Sequence, residues 1–262
     1  MKPSKLILLI ILALFLTIIL ARSCQDDYDM DKEVPYTDNT EQPSIPGKEQ
    51  TPTPSIEPIE PIEVENPSDW PDSIYSTITN SDFLTSEEKE VVIELNKCRT
   101  NPIRYSNEVL VPFLRSMSES GIFVDSRGHN IRTKEGKKAV QEAIDALNRQ
   151  KPTSMLYPKE YLSLAAKDLC NDHGPKSLVG HGGTDGSSPT TRAKRHNPNV
   201  RGVGENVAYG LFSARDVVIS LIVDDNVADR GHRKNIFRDY SNVGIAFGYH
   251  KGFEIMCVQD FE

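Results

Sequence analysis

Phe253-Glu254-Ile255-Met256-Cys257-Val258-Gln259-Asp260-Phe261, at the end of a 262-residue chain, decides the fold class. Successive side chains of a strand point to opposite faces. Phe253, Ile255 and Cys257 fall on one alternating set, and Met256 and Val258 on the other. A strand that is apolar on both sides is covered on both faces. Val243 to Tyr249 reads as a neighbouring strand. Upstream, the pattern is helical. Thr85 with Glu88 forms a capping box, and Val91, Val92, Leu95 and Cys98 follow at helical spacing. Pro102 ends that helix at Asn101. Ile103 to Met117 reads as a second helical stretch broken near Pro112, Gly121 to Arg132 as loop, and Thr133 to Asn148 as helix. Leu162, Ala165, Ala166 and Leu169 mark a further helix. Ser213 with Asp216 forms a further capping box that opens another, with Val217, Val218, Leu221 and Ile222 as its buried stripe. Early helices and a late sheet covered twice predict an α/β fold, a three-layer α-β-α sandwich. There is no internal repeat.

The N-terminus reads as an address. Lys2 and Lys5 precede an apolar run from Leu6 to Ala21, followed by Arg22-Ser23-Cys24 and then Gln25-Asp26-Asp27. A positive start, an apolar stretch and small residues before a break describe an export signal. Lysines before the run and acids after it place the rest of the chain outside the cytoplasm. Ala21 to Cys24 resembles a loose lipobox, with Cys24 as the lipidated residue. An uncleaved signal anchor is the alternative. Residues 25–80 are rich in Pro, Glu, Thr and Ser, as in Thr51-Pro52-Thr53-Pro54 and Glu57-Pro58-Ile59-Glu60-Pro61. Such a segment buries too little apolar surface to offset its chain entropy, and proline with like charge extends it. The expected organisation is therefore a signal or anchor over 1–24, an acidic linker over 25–80 and a folded domain over 82–262.

The formal net charge of −8 belongs to the linker. Fourteen acidic residues and two basic ones lie between Gln25 and Ser81, so the domain is close to neutral. Nothing in this distribution asks for nucleic acid as a partner. Four cysteines, Cys24, Cys98, Cys170 and Cys257, are too few and scattered for a disulfide framework or a paired-cysteine zinc site. The last three read as small buried hydrophobes, with a Cys170–Cys257 bridge as the alternative.

Three short segments carry ionisable side chains beside glycine. They are Gly180-His181-Gly182-Gly183, Gly204-Glu205-Asn206 and Asp229-Arg230-Gly231-His232-Arg233-Lys234-Asn235. No His-Glu-x-x-His, Gly-x-Ser-x-Gly or phosphate-binding glycine loop is present. In this order the three segments resemble the CAP superfamily of cysteine-rich secretory proteins, venom antigen 5 and plant pathogenesis-related class one proteins. Leu95-Asn96-Lys97-Cys98-Arg99-Thr100-Asn101-Pro102, Leu164-Ala165-Ala166, Gly180 through Arg192, Asp216 to Phe237, and Met256 to Phe261 resemble its bacterial and protist (SCP-domain) branch.

The resemblance implies a cleft in which His181 and His232 face acidic side chains. Glu205 is the first acid, and Asp224 or Asp225 stands where many members carry a Trp-x-x-Glu. Leu169 replaces a histidine of many bacterial members and reads as core. His173 reads either as its partial substitute or as a solvated residue. Two imidazoles with carboxylates are a donor set for zinc or another divalent metal. Three function classes follow. One is a tethered module binding a lipid, sterol, cell-wall or protein partner. The second is a metal-assisted hydrolase with Glu205 as catalytic base. The third is a polar cluster that only holds loops together. Ser187 and Ser188 show no tie to a base. Arg230, Arg233 and Lys234 read as a solvated helix start or as contacts to an anionic ligand.

Overall fold

The computed structural model describes residues 69–262. The signal segment, Cys24 and nearly all of the expected linker lie outside the described residues. Packing begins earlier than the expected boundary at residue 82. Trp70 and Ile74 are buried in the main core, and Arg104 lies over the Trp70 ring at 4.3 Å. The sequence reading assigned these residues to the linker because Pro67 and Pro71 flank a short, acidic stretch with little periodicity.

The helices are α1 (Asp72–Ser76), α2 (Ser86–Thr100), α3 (Pro102–Tyr105), α4 (Val111–Ser116), α5 (Lys137–Arg149), α6 (Glu160–His173), α7 (Pro189–His196), α8 (Ala214–Val223) and α9 (Gly231–Phe237). The strands are β1 (Ile122–Val124), β2 (Asn130–Arg132), β3 (Tyr157–Pro158), β4 (Gly204–Tyr209), β5 (Asn242–His250) and β6 (Glu254–Phe261). A π-helical turn, Ser106–Leu110, links α3 to α4. Its cause is Pro112, whose ring would clash with the carbonyl four residues back, so the helix widens just before it.

The main sheet has the order β3-β5-β6-β4. β5 and β6 form an antiparallel hairpin, β4 adds antiparallel to β6, and β3 adds parallel to β5. Both faces of β6 are covered, as its double apolar pattern requires. On one face Val243, Ile245, Cys257 and Phe261 pack with Val91, Leu95, Val140, Leu147, Val218 and Ile236. On the other, Val207, Ala246, Met256 and Val258 pack with Ala166, Leu169 and Cys170 of α6. Leu169 is thus core, and fully burying such a side chain contributes about 2 kcal/mol.

Polar staples tie the layers together. The Thr85–Glu88 capping box is complete, and the second Glu88 oxygen accepts the Phe247 N–H at 3.0 Å. Arg99 is fully buried and donates to the carbonyls of Ser154, Ile236, Arg238 and Tyr240. The segment read as loop, Gly121 to Arg132, contains the β1–β2 hairpin. Asp216 does not complete a capping box. The Ser213 hydroxyl accepts the Asp216 N–H, while the Asp216 carboxylate accepts the Ser126 N–H and pins that hairpin. Cys98, Cys170 and Cys257 are free and buried, so there is no Cys170–Cys257 bridge. Burial pushes the Cys170 thiol up to about 12.

Candidate functional site

Strand β4, read in the sequence only as a site segment, lies at an edge of the sheet, and its pleat builds the site. Glu205 and Asn206 are consecutive, so they project to opposite faces. Each anchors one histidine. Gly204 sits against the Tyr240 hydroxyl, where a Cβ would approach to 2.3 Å, so any larger residue at the start of the strand would have to displace the Tyr240 ring.

On the α6 face, Glu205 Oε1 accepts from His181 Nδ1 at 2.8 Å. Its other oxygen accepts from Arg192 Nη2 of α7. Arg192 is itself buried and also donates to the carbonyls of His181 at 2.9 Å and Ser187 at 3.2 Å. The loop carrying His181 turns at Gly180, with φ 100°, a conformation that favours glycine. Three more side chains hold it. His250 Nε2 bonds the Leu178 carbonyl, the Tyr209 hydroxyl accepts the Gly180 N–H, and His173 Nε2 bonds the Gly182 carbonyl. His173 is 2% exposed. It neither enters the cleft nor faces solvent, but anchors the loop from behind.

On the α9 face, the Asn206 amide donates to the His232 carbonyl at 3.1 Å and accepts from Asn235. Asp224 resolves the choice between the two aspartates. Its Oδ1 accepts from His232 Nδ1 at 2.7 Å and its Oδ2 accepts the His232 N–H at 2.9 Å. Asp225 turns away, accepting the backbone N–H groups of Lys134 and Glu135 at 2.6 and 2.8 Å. It lines an apolar cavity of about 190 Å³ under the β1–β2 hairpin, together with Phe113, Phe123 and Ile219. Of the two aspartates, only Asp224 bonds a histidine of the cleft.

Asp224, Asn226 and Arg230 all have left-handed φ values between 55° and 65°. Non-glycine residues adopt this region at a cost, and such strain persists only where surroundings over-determine it. The surroundings here are ion pairs. Arg230 bonds Glu135, Glu142 and the carbonyls of Asp224 and Val227. Arg233 clamps Glu142 with both terminal nitrogens and bonds the carbonyls of Ile222 and Val223. These bonds hold Glu135 down to about 2, chiefly through the hydrogen bond from Arg230, and lower Glu142, chiefly through that from Arg233. Both arginines are therefore structural clamps. Neither the solvated-helix reading nor the anionic-ligand reading fits them. Lys234 remains largely exposed, 3.7 Å from Asp229.

The result is two carboxylate–imidazole dyads with ring centroids 6.4 Å apart. The carboxylates are buried, with side-chain exposures of 1% for Glu205 and 2% for Asp224, while the imidazoles reach solvent at 33% and 26%. Each Nδ1 faces a carboxylate, so each proton is assigned to Nδ1. Neither Nε2 has a partner among the described residues.

The donor set does not fit a resident zinc. Two imidazoles remain after both carboxylates are engaged, whereas zinc sites take three or four protein ligands. Among the described residues no group of three or more His, Cys, Asp or Glu side chains is placed to hold a metal ion. Of the two serines near the His181 loop, the Ser188 hydroxyl caps α7 and Ser187 is buried.

Sequence reasoning missed Arg192, Asn206 and Asn235 as site residues. No sequence signal pointed to Arg192, because Glu205 was not read as lying in a strand.

No protein-family model matches the sequence, and no curated protein matches it. Solved structures give partial likenesses. An outer surface protein of Borrelia burgdorferi aligns with a TM-score of 0.36 and 21% identity, over 51% of this chain and 96% of that one. An extracellular protein containing an SCP domain from Bacillus anthracis str. Ames aligns with a TM-score of 0.35 and 15% identity, over 48% of this chain and 37% of that one.

Proposed function

We propose that this chain is an extracytoplasmic, membrane-tethered binding domain of the CAP type, and that the His181–His232 cleft holds a ligand rather than cleaving one. One observation carries this reading. Both carboxylates lie buried behind the imidazoles, with side-chain exposures of 1% and 2%, so neither reaches a substrate as a base. The cleft presents to solvent a pair of Nε2 acceptors with fixed tautomers. A ligand that offers hydroxyl groups complements them, such as a cell-wall glycan or a sterol head. Residues 1–24 supply the tether, through lipidated Cys24 or an uncleaved anchor.

The test is calorimetry on the full chain with soluble glycan fragments, sterol-containing vesicles and zinc chloride. Saturable binding of one hydroxyl-bearing ligand is expected, weakened at least tenfold in both His181→Ala and His232→Ala. Binding unchanged in both variants would move the ligand elsewhere. Ester or peptide turnover that disappears in Glu205→Ala would replace this reading with the hydrolase. For the tether, fatty-acid labelling in cells should be lost in Cys24→Ala. Membrane retention without label would favour the uncleaved anchor.

A further inference from the structure

Asp260 is the buried acid that the cleft geometry leaves unexplained. It is 0% exposed, and no donor reaches either of its carboxylate oxygens. An ionised carboxylate in such a place is costly, because burial removes its water and nothing replaces it. Its position is set by register. Asp260 lies directly opposite Glu205 across the β4–β6 pair. The Gly210 N–H bonds the Ile255 carbonyl, and the Glu205 carbonyl turns outward to Asn235. The even-numbered residues of β4 are therefore the ones bonded to β6. Glu205 and Asp260 form a non-hydrogen-bonded pair, the kind that brings side chains closest. Two carboxylates in one dry site cannot both ionise.

We propose that Asp260 is held as a neutral acid whose O–H is donated to Glu205, so that the two carboxyl groups share one proton beneath His181. Glu205 has the capacity, since an ionised carboxylate offers about four acceptor sites and His181 and Arg192 take two. The charged groups around Asp260 agree in sum. Burial first, and then the Glu205 charge, push its carboxyl well above the usual carboxylate range, and Asp168 of α6 adds to this. Arg192 of α7 opposes them and stays paired with Glu205. His181 thus has one negative charge behind it, not two. Asp260 acts through Glu205 and is a positioning residue.

The inference concerns the same cleft but stands on packing alone, so it survives or fails independently of any ligand. Carbon-13 NMR of aspartate-labelled full chain should show the Asp260 carboxyl still protonated at pH 7, where ordinary exposed aspartates are ionised. Ionisation of Asp260 together with the exposed set would overturn the proposal. A second arm uses Asp260→Asn. Above about pH 4 the unfolded chain releases this proton while the native state keeps it. Native protein then binds more protons than unfolded, so the wild-type folding constant falls with pH by up to about tenfold per unit. The variant lacks that slope, and its advantage in Tm should grow from about pH 4 to pH 8. A constant offset between the two pH profiles is the result a space-filling role would give, and it would refute proton sharing. If the variant does not fold, the wild-type carboxyl titration decides alone.

Discussion

Replacing Asp224 by Ala, Gly and Asn tests how the His232 half of the cleft is held. Asp224 has φ 55° and ψ 46°, ends α8, and gives its carboxylate to the His232 ring and to the start of α9. Loss of the bond from His232 Nδ1 removes about 2 kcal/mol, as for other hydrogen bonds to charged groups. Loss of the cap to the His232 N–H removes about 1 kcal/mol. Alanine at a left-handed position costs about 1 kcal/mol more, a penalty that glycine avoids. The expected losses are thus about 4 kcal/mol for Asp224→Ala and about 3 kcal/mol for Asp224→Gly. Asparagine tolerates the backbone and keeps one acceptor oxygen, so its loss should be about half that of alanine. In a domain of this size a loss of about 4 kcal/mol lowers Tm by about 10 °C. Urea unfolding of the three variants at pH 7 measures the series. If alanine proves no worse than glycine, the left-handed backbone is not a constraint. If all three lose less than about 0.5 kcal/mol, a typical value for a neutral surface change, Asp224 does not hold His232.

Arg192→Met leaves Glu205 buried beside a partner it has lost, and unfolding should show a destabilisation of about 3–5 kcal/mol. Adding Glu205→Gln should restore part of it, which a double-mutant cycle reads directly. Glu135 titrates at about 2 in the folded state because Arg230 donates to it. Its stabilisation is present above the unfolded value of about 4.3 and lost as pH falls toward the folded one. Glu135→Gln should flatten that acid limb by about 1 kcal/mol, since the pair is partly exposed. Leu169→His should destabilise by about 2 kcal/mol or more because it buries a polar ring in the α6 face of the core. The three buried cysteines should resist a thiol reagent in native protein and react in urea, and fast native labelling of Cys170 would contradict its burial.

Much of the fold is legible in the sequence because it rests on periodicity. The two-faced apolar pattern of Phe253 to Phe261 announces helices on both sides, and the Val91, Ala139 and Leu162 stripes locate three of those helices. Strand β4 was not legible. Its six residues, Gly204-Glu205-Asn206-Val207-Ala208-Tyr209, break alternation because Glu205 and Asn206 are buried on both faces for polar reasons. The packed start at Trp70 was missed for a similar reason, since one aromatic and one isoleucine carry no period. Within the candidate site, the grouping of His181, Glu205 and His232 came from the resemblance of their segments rather than from their glycine neighbours. The choice of Asp224 over Asp225 was not legible, because it depends on a left-handed turn. Arg230 and Arg233 were misread because composition cannot tell a solvated cation from one clamped by carboxylates more than 90 residues away in sequence.

Because a single pleat assigns Glu205 to one histidine and Asn206 to the other, the strand between them has no freedom to change length. Deleting or inserting one residue in β4 would exchange the faces of Glu205 and Asn206 and unhook both imidazoles at once, with the core strands still paired. Among descendants of this chain, insertions should therefore be purged between 204 and 209. A scan of single-codon insertions, scored for folding and for binding separately, would expose that brittle window.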